Sequence, residues 1–316
     1  MNAAEQANHR LFRVSNYHTI FVNGFVDDLM MGSLPTPADL AIHPRDLKFN
    51  RAGTARDAHH TRWWHCNDPV KTAFLNALSI TFPQGESLFV EAVRRYRDVA
   101  DPVLREQIAA FIKQETLHMR EHVVFNRLIE QAGYDVAAMN AYTTERMSIA
   151  RSRPPIAQLA ITVALEHFTA ILAHGLLTNP QHLQGVPNEI ANLWKYHAIE
   201  EIEHKGVAFD TYLAATKDWS GFKRWYVRCK VMAIMSYLFW RSNARHMADF
   251  FRQDGINTFG TWMRVLKFHF VSPGLLRSIF GEYWKFYSPN FHPWNIDDRA
   301  LIANIEKELG MTSATA

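Results

Sequence analysis

At 316 residues the chain can bury a sizeable core, and 48% apolar with 21% charged residues excludes a disordered polypeptide. A net charge of +3 is too small to imply a nucleic-acid partner, and none is expected. Cys66 and Cys229 lie far apart and make neither a CxxC pair nor a disulfide framework, and MNAAEQANHRLFRV lacks the apolar centre of a secretory signal. A reducing cytoplasm is the expected compartment.

Residues 1–67 are punctuated by Pro35, Pro37 and Pro44 and read as an N-terminal arm packed on a helical bundle, with VSNYHTIFVNGF able to form short strands. His59, His60 and His65 cluster beside tryptophans, where packing or hydrogen bonding is a commoner role than ligation. Asp68-Pro69 is a helix start, with Asp as N-cap and Pro at the first position. Pro83 and Gly85 predict a kink or break, after which Glu86 opens a helix to about residue 98. Taken alone, Glu86 is only a favourable acid in a first turn.

Asp101-Pro102 repeats the start signal, and the helix should run to Gln131 and stop at Gly133. Its apolar face carries Glu115 and His118, with His122 one turn on. Residues 134–152 predict a short helix and a basic linker. From Ile156 to Leu177 the pattern is apolar nearly all round, which marks a central helix, and Glu166 is its single acid. A solvated face does not explain that residue. His167 and His174 point away from it and read as structural.

The helix predicted over 188–215 carries His197, Glu201 and His204 at spacings of four and three. At 3.6 residues per turn they fall within about 60° of arc. Glu200 sits at the edge of that face, and Glu203 looks elsewhere. Glu201 with His204, like Glu115 with His118, is a Glu-x-x-His pair. Two such pairs plus a single Glu from each of two further helices is the donor set of ferritin-like dimetal-carboxylate bundles. Glu86 and Glu166 supply the single carboxylates. Four carboxylates cancel the charge of two divalent ions, and mixed N/O donors suit iron, with manganese or zinc as alternatives. His122 and Glu200 are expected behind the ligands.

Beyond Asp218 the chain turns aromatic and basic. Residues 219–250 hold an apolar stretch, Val231–Trp240, too short to span a bilayer but able to lie in a membrane interface. An extra bundle helix or a homodimer contact is the plainer reading. Helices are predicted at 258–270, from Gly274 to about Tyr287, and at 299–309. The chain thus reads as all-α: an arm (1–67), a ferritin-like four-helix bundle (68–217) and additional helices of the same domain (218–316).

FPQGESLF, FIKQETLHMREH, ALEHFTA, WKYHAIEEIEHKGVAFD and FHPWNIDD together resemble the bacterial family labelled predicted metal-dependent hydrolase, over roughly residues 40–305. The His-x-x-x-Glu-x-x-His order from His197 is also similar to that of di-iron aminoarene N-oxygenases. That likeness implies Glu86, Glu115, His118, Glu166, His197, Glu201 and His204 as ligands. Dioxygen activation on a small, lipophilic substrate is the favoured expectation. Two-metal hydrolysis of an ester, amide or phosphate is the alternative, and non-catalytic metal handling is third.

Overall fold

The computed structural model describes residues 36–37, 39–49 and 62–311. The histidines at 59 and 60 and the strands proposed near residues 14–25 lie outside them. Among the described residues the fold is all-α, with no strand. The helices are α1 (Pro69–Arg94), α2 (Pro102–Gln131), α3 (Ala137–Arg151), α4 (Pro155–Thr178), α5 (Asn188–Glu203), α6 (Val207–Ala215), α7 (Gly221–Gln253), α8 (Phe259–Phe270), α9 (Leu275–Lys285) and α10 (Arg299–Glu308).

Local chemistry explains their starts. The Asp68 carboxylate accepts from the amides of Val70 and Lys71, and Asp101 accepts from Leu104, each ahead of a proline that has no amide to satisfy. Ser220 and Thr258 cap α7 and α8 in the same way. Gly133, with φ +89°, ends α2 in a conformation that costs other residues more.

Two expectations fail. The break at Pro83 does not occur, and α1 passes through it uninterrupted. Proline at 83 removes the amide that would bond the Ser79 carbonyl. Asn126 of α2 replaces it, its Nδ2 donating to Ser79 O at 3.0 Å. The opposite error occurs at the end of α5. The helix expected over 188–215 stops at Glu203, turns through His204–Gly206, and resumes as α6. At Gly206 an added Cβ would meet Thr36 Oγ1 at 2.7 Å and the Trp294 ring at 3.0 Å, so glycine there lets the chain before α1 and the later FHPWNIDD segment pack close to the turn.

α1 packs along α2 and α4 along α5; α1 also touches α4, and α2 touches α5 and α6. These contacts close a ring of four helices. α7 lies on α1 and α4, α9 on α4, and α10 on α5 and α4. One apolar cluster runs through Phe74, Leu88, Phe111, Phe125, Phe168, Trp194 and Tyr212 to Phe250 and Phe286. Each such side chain contributes roughly 1.5–3 kcal/mol when buried. α4 is long and apolar enough to cross a membrane, but 78% of its apolar window is covered by the rest of the protein, as befits a central helix.

Candidate metal centre

Each helix of the ring sends acids or imidazoles to one point: Glu86 from α1, Glu115 and His118 from α2, Glu166 from α4, and His197 and Glu201 from α5, with His204 at its end. None of the seven is more than 5% exposed. The helical period does this work, because residues three or four apart share a face.

The side chains form two groups with a common member. Donor atoms of Glu86, His118, His197 and Glu201 all lie within 4.8 Å of one another, and so do those of Glu115, Glu201 and His204. Glu201 Oε1 is 3.3 Å from His197 Nε2 and 3.6 Å from His118 Nδ1, while its Oε2 is 3.5 Å from His204 Nε2. Glu166 falls outside both groups at that spacing, but its Oε2 is 3.4 Å from His204 Nε2, which also lies 3.2 Å from Glu115 Oε1.

Both carboxylate oxygens of Glu86, Glu115 and Glu166 are buried and have no hydrogen-bond partner among the described residues. Burial and the neighbouring acids push all three carboxyls well above the ordinary carboxylate range. Burial also opposes ionisation of Glu201, yet His197, His204 and His118 hold it down at about 2. Orphaned buried carboxylates are expensive in a protein that gives them no cation. Divalent metal ions fit this donor set in charge and in atom type.

Each imidazole has one nitrogen toward the carboxylates and the other against a supporting group, the arrangement that fixes a metal-binding ring. His204 Nδ1 contacts Gln114 Oε1 at 3.1 Å, and Gln114 Nε2 donates to Glu203 Oε2 at 2.7 Å. His118 Nε2 lies 2.8 Å from Glu200 Oε2. Burial would lower the His118 pKa, but Glu200 outweighs it and raises it to about 9. His197 Nδ1 contacts His122 Nε2 at 3.1 Å, and His122 Nδ1 meets Ser79 Oγ at 2.8 Å. Phe82 stacks on His197 at 4.7 Å between centroids. Burial drives His197 down to about 3, with His118 adding to the effect, so its ring is neutral and available as a donor.

Glu200 and His122 thus lie against the imidazoles of His118 and His197. Gln114, Glu203, Arg45 and Ser79 were not foreseen. Glu203 does look away from the carboxylates, but it is buried against Arg45, whose Nη2 donates to it at 2.5 Å, to Glu306 at 2.5 Å, and whose Nη1 reaches Glu200 at 3.4 Å. Only the position of Gln114 beside Glu115 offered a signal. His65 bonds His182 O, His174 pairs with Asp298, and His167 packs on Phe286 and Phe291, so all three have structural partners.

A cavity of about 40 Å³ reaches His197 between Phe74, Leu78, Phe82, Leu172 and Trp194. No curated protein and no solved structure matches the chain significantly. A family model described as predicted metal-dependent hydrolase matches residues 43–297, a span that takes in all seven buried donors. On that match, the chain belongs to the predicted metal-dependent hydrolase family.

Proposed function

We propose that the protein is a hydrolase that works with two divalent metal ions and acts on a small ester, amide or phosphate. The observation that carries this reading is the sharing of Glu201 between two adjacent donor groups, since one bridging carboxylate is how two ions are held side by side. Glu86, His118 and His197 would hold one ion, and Glu115, Glu166 and His204 the other, on a ring of helices read as ferritin-like. When bound, such a pair supplies Lewis acidity and activates water. The protein's own part is to fix the donors through Gln114, Glu200 and His122, and to exclude bulk water by burying every carboxylate.

The family's description names hydrolysis, so the oxidative chemistry favoured from sequence gives way to the second place. One observation keeps it there. The cavity at His197 is walled mostly by apolar side chains, which suits an apolar gas better than a water, since a water needs two to four polar partners. Iron is the metal that reading requires; zinc or manganese serves the first.

The test has two arms. Protein as purified should contain close to two transition-metal ions per chain. Zinc- or manganese-loaded protein should hydrolyse model esters or phosphates, with Glu166→Ala reducing both metal content and rate. If instead the loaded forms are inert and the anaerobic Fe(II) form develops an optical band on exposure to oxygen, hydrolysis is wrong and oxidation is right.

A further inference from the structure

Fifteen large apolar side chains are prominently exposed among the described residues, and eleven of them fall between Phe222 and Trp284. They are not scattered. On α8, Phe259, Met263, Leu266 and Phe270 follow i, i+4, i+7, i+11, the spacing of a core-facing stripe, within about 60° of arc. Yet Phe259 is 82% exposed and the other three are about half exposed. Phe280 and Trp284 continue the apolar surface onto α9. Phe270 and Phe280 also border a groove between α7, α8 and α9, with Trp240, Met247 and Phe168 deeper in it.

The charge on these helices is one-sided. Residues 219–287 carry eleven Lys and Arg against three Asp and Glu, whereas the whole chain carries 34 against 31. The three acids are already engaged, Asp249 with Arg252, Asp254 with Arg62 and Glu282 with Lys285. Lys223, Lys230, Lys267 and Arg277 have no acidic partner among the described residues. The exposed positions of α7, from Phe222 to Arg241, lie within about 120° of arc. They read Phe222, Lys223, Tyr226, Lys230, Ala233, Ile234, Tyr237 and Arg241, with no acid among them. Of the apolar stretch singled out in the sequence, Val231, Met232, Met235, Phe239 and Trp240 pack against the core, and Ala233, Ile234 and Tyr237 belong to the exposed face.

We propose that the α7–α9 face seats on the surface of an anionic lipid bilayer, the α8 stripe entering the headgroup boundary and the lysines and arginines facing lipid phosphates. Apolar insertion beside a basic rim is the composition of interfacial helices, and each basic residue near an anionic surface adds attraction. A second copy of this chain is a poorer occupant, because a twofold contact would set two basic faces against each other.

The test is co-sedimentation of the full chain with vesicles of phosphatidylcholine alone and of phosphatidylcholine with phosphatidylglycerol, at low and high salt. Wild-type protein should bind the anionic vesicles and release in high salt. The triple variant Lys223→Ala, Lys230→Ala, Lys267→Ala should bind about a hundredfold more weakly, from about 1 kcal/mol per basic residue. Leu266→Glu, at a solvent-facing position, should lose binding with its helical circular dichroism unchanged. Three results overturn the proposal. They are no binding to anionic vesicles at low salt, binding that Leu266→Glu leaves intact, and a vesicle-free dimer that Leu266→Glu dissociates.

Discussion

Substituting Glu201 separates a shared dinuclear site from two adjoining clusters. Glu201→Ala removes one of the four donors of the Glu86 group and one of the three of the Glu115 group. It also unbalances the charge. With Glu86, Glu115, Glu166 and Glu201 ionised, two divalent ions are neutralised; without Glu201 one positive charge is left over where no donor residue is more than 5% exposed. Breaking a buried charge pair by removing one partner costs roughly 3–5 kcal/mol. At about 1.4 kcal/mol per tenfold, metal affinity should fall by roughly two to three and a half orders of magnitude. His197→Ala is the control. It takes away a neutral donor from the Glu86 group alone, so the charge balance stands and the second ion should stay bound. Titration calorimetry with zinc on metal-free protein, backed by elemental analysis, reads both the number of ions and their affinities. Two tightly held ions in Glu201→Ala, or a profile identical to that of His197→Ala, would refute the bridging role.

Acid should unfold the protein for reasons outside the metal centre. Burial holds His182, His246 and His269 at about 4, against 6.5 for a free imidazole. A depressed histidine adds stability that is complete above 6.5 and is lost as pH falls toward 4, up to roughly 3 kcal/mol for each. Denaturant midpoints should therefore drop across that range, and a flat profile would contradict the burial of these rings. Asn126→Ala should cost about 1–3 kcal/mol by orphaning the Ser79 carbonyl. The loss should shrink in a Pro83→Ala background, where the restored amide can bond that carbonyl; equal costs in both backgrounds would show that the Asn126 contact is incidental.

The seven candidate ligands could be picked from the sequence because a helix converts spacing into direction. Glu115 with His118 and Glu201 with His204 must share a face, and Glu166 had no solvated face to occupy. What sequence could not supply were contacts made between elements. Pro83 breaks a helix only where nothing replaces the missing amide, and the replacement, Asn126, is on another helix. The turn at Gly206 is closely approached by Thr36 and Trp294, both far from it along the chain. The stretch Val231–Trp240 looked interfacial by composition; Phe239 and Trp240 pack against the core, Ile234 and Tyr237 stay exposed, and a longer exposed stripe lies on α8.

The support of the imidazoles shows the same division in sharper form. His197 leans on a neutral chain, His122 then Ser79, both on helices of the ring. His118 and His204 lean on Glu200 and on Gln114 with Glu203, and both routes end on Arg45. Burial disfavours the Arg45 charge, but Glu203, Glu306 and Glu200 more than restore it. A single guanidinium from the segment preceding α1 therefore offsets carboxylates that would otherwise add to the negative charge of the cluster. It also ties that segment to α5 and α10, so the bundle that carries the donors is not sufficient to orient them. The family match begins at residue 43 and so includes Arg45, while Glu306 of α10 lies beyond its end at residue 297. The contacts of Arg45 with Glu200 and Glu203 lie wholly inside the matched span, and the Glu306 contact is a fastening added from outside it.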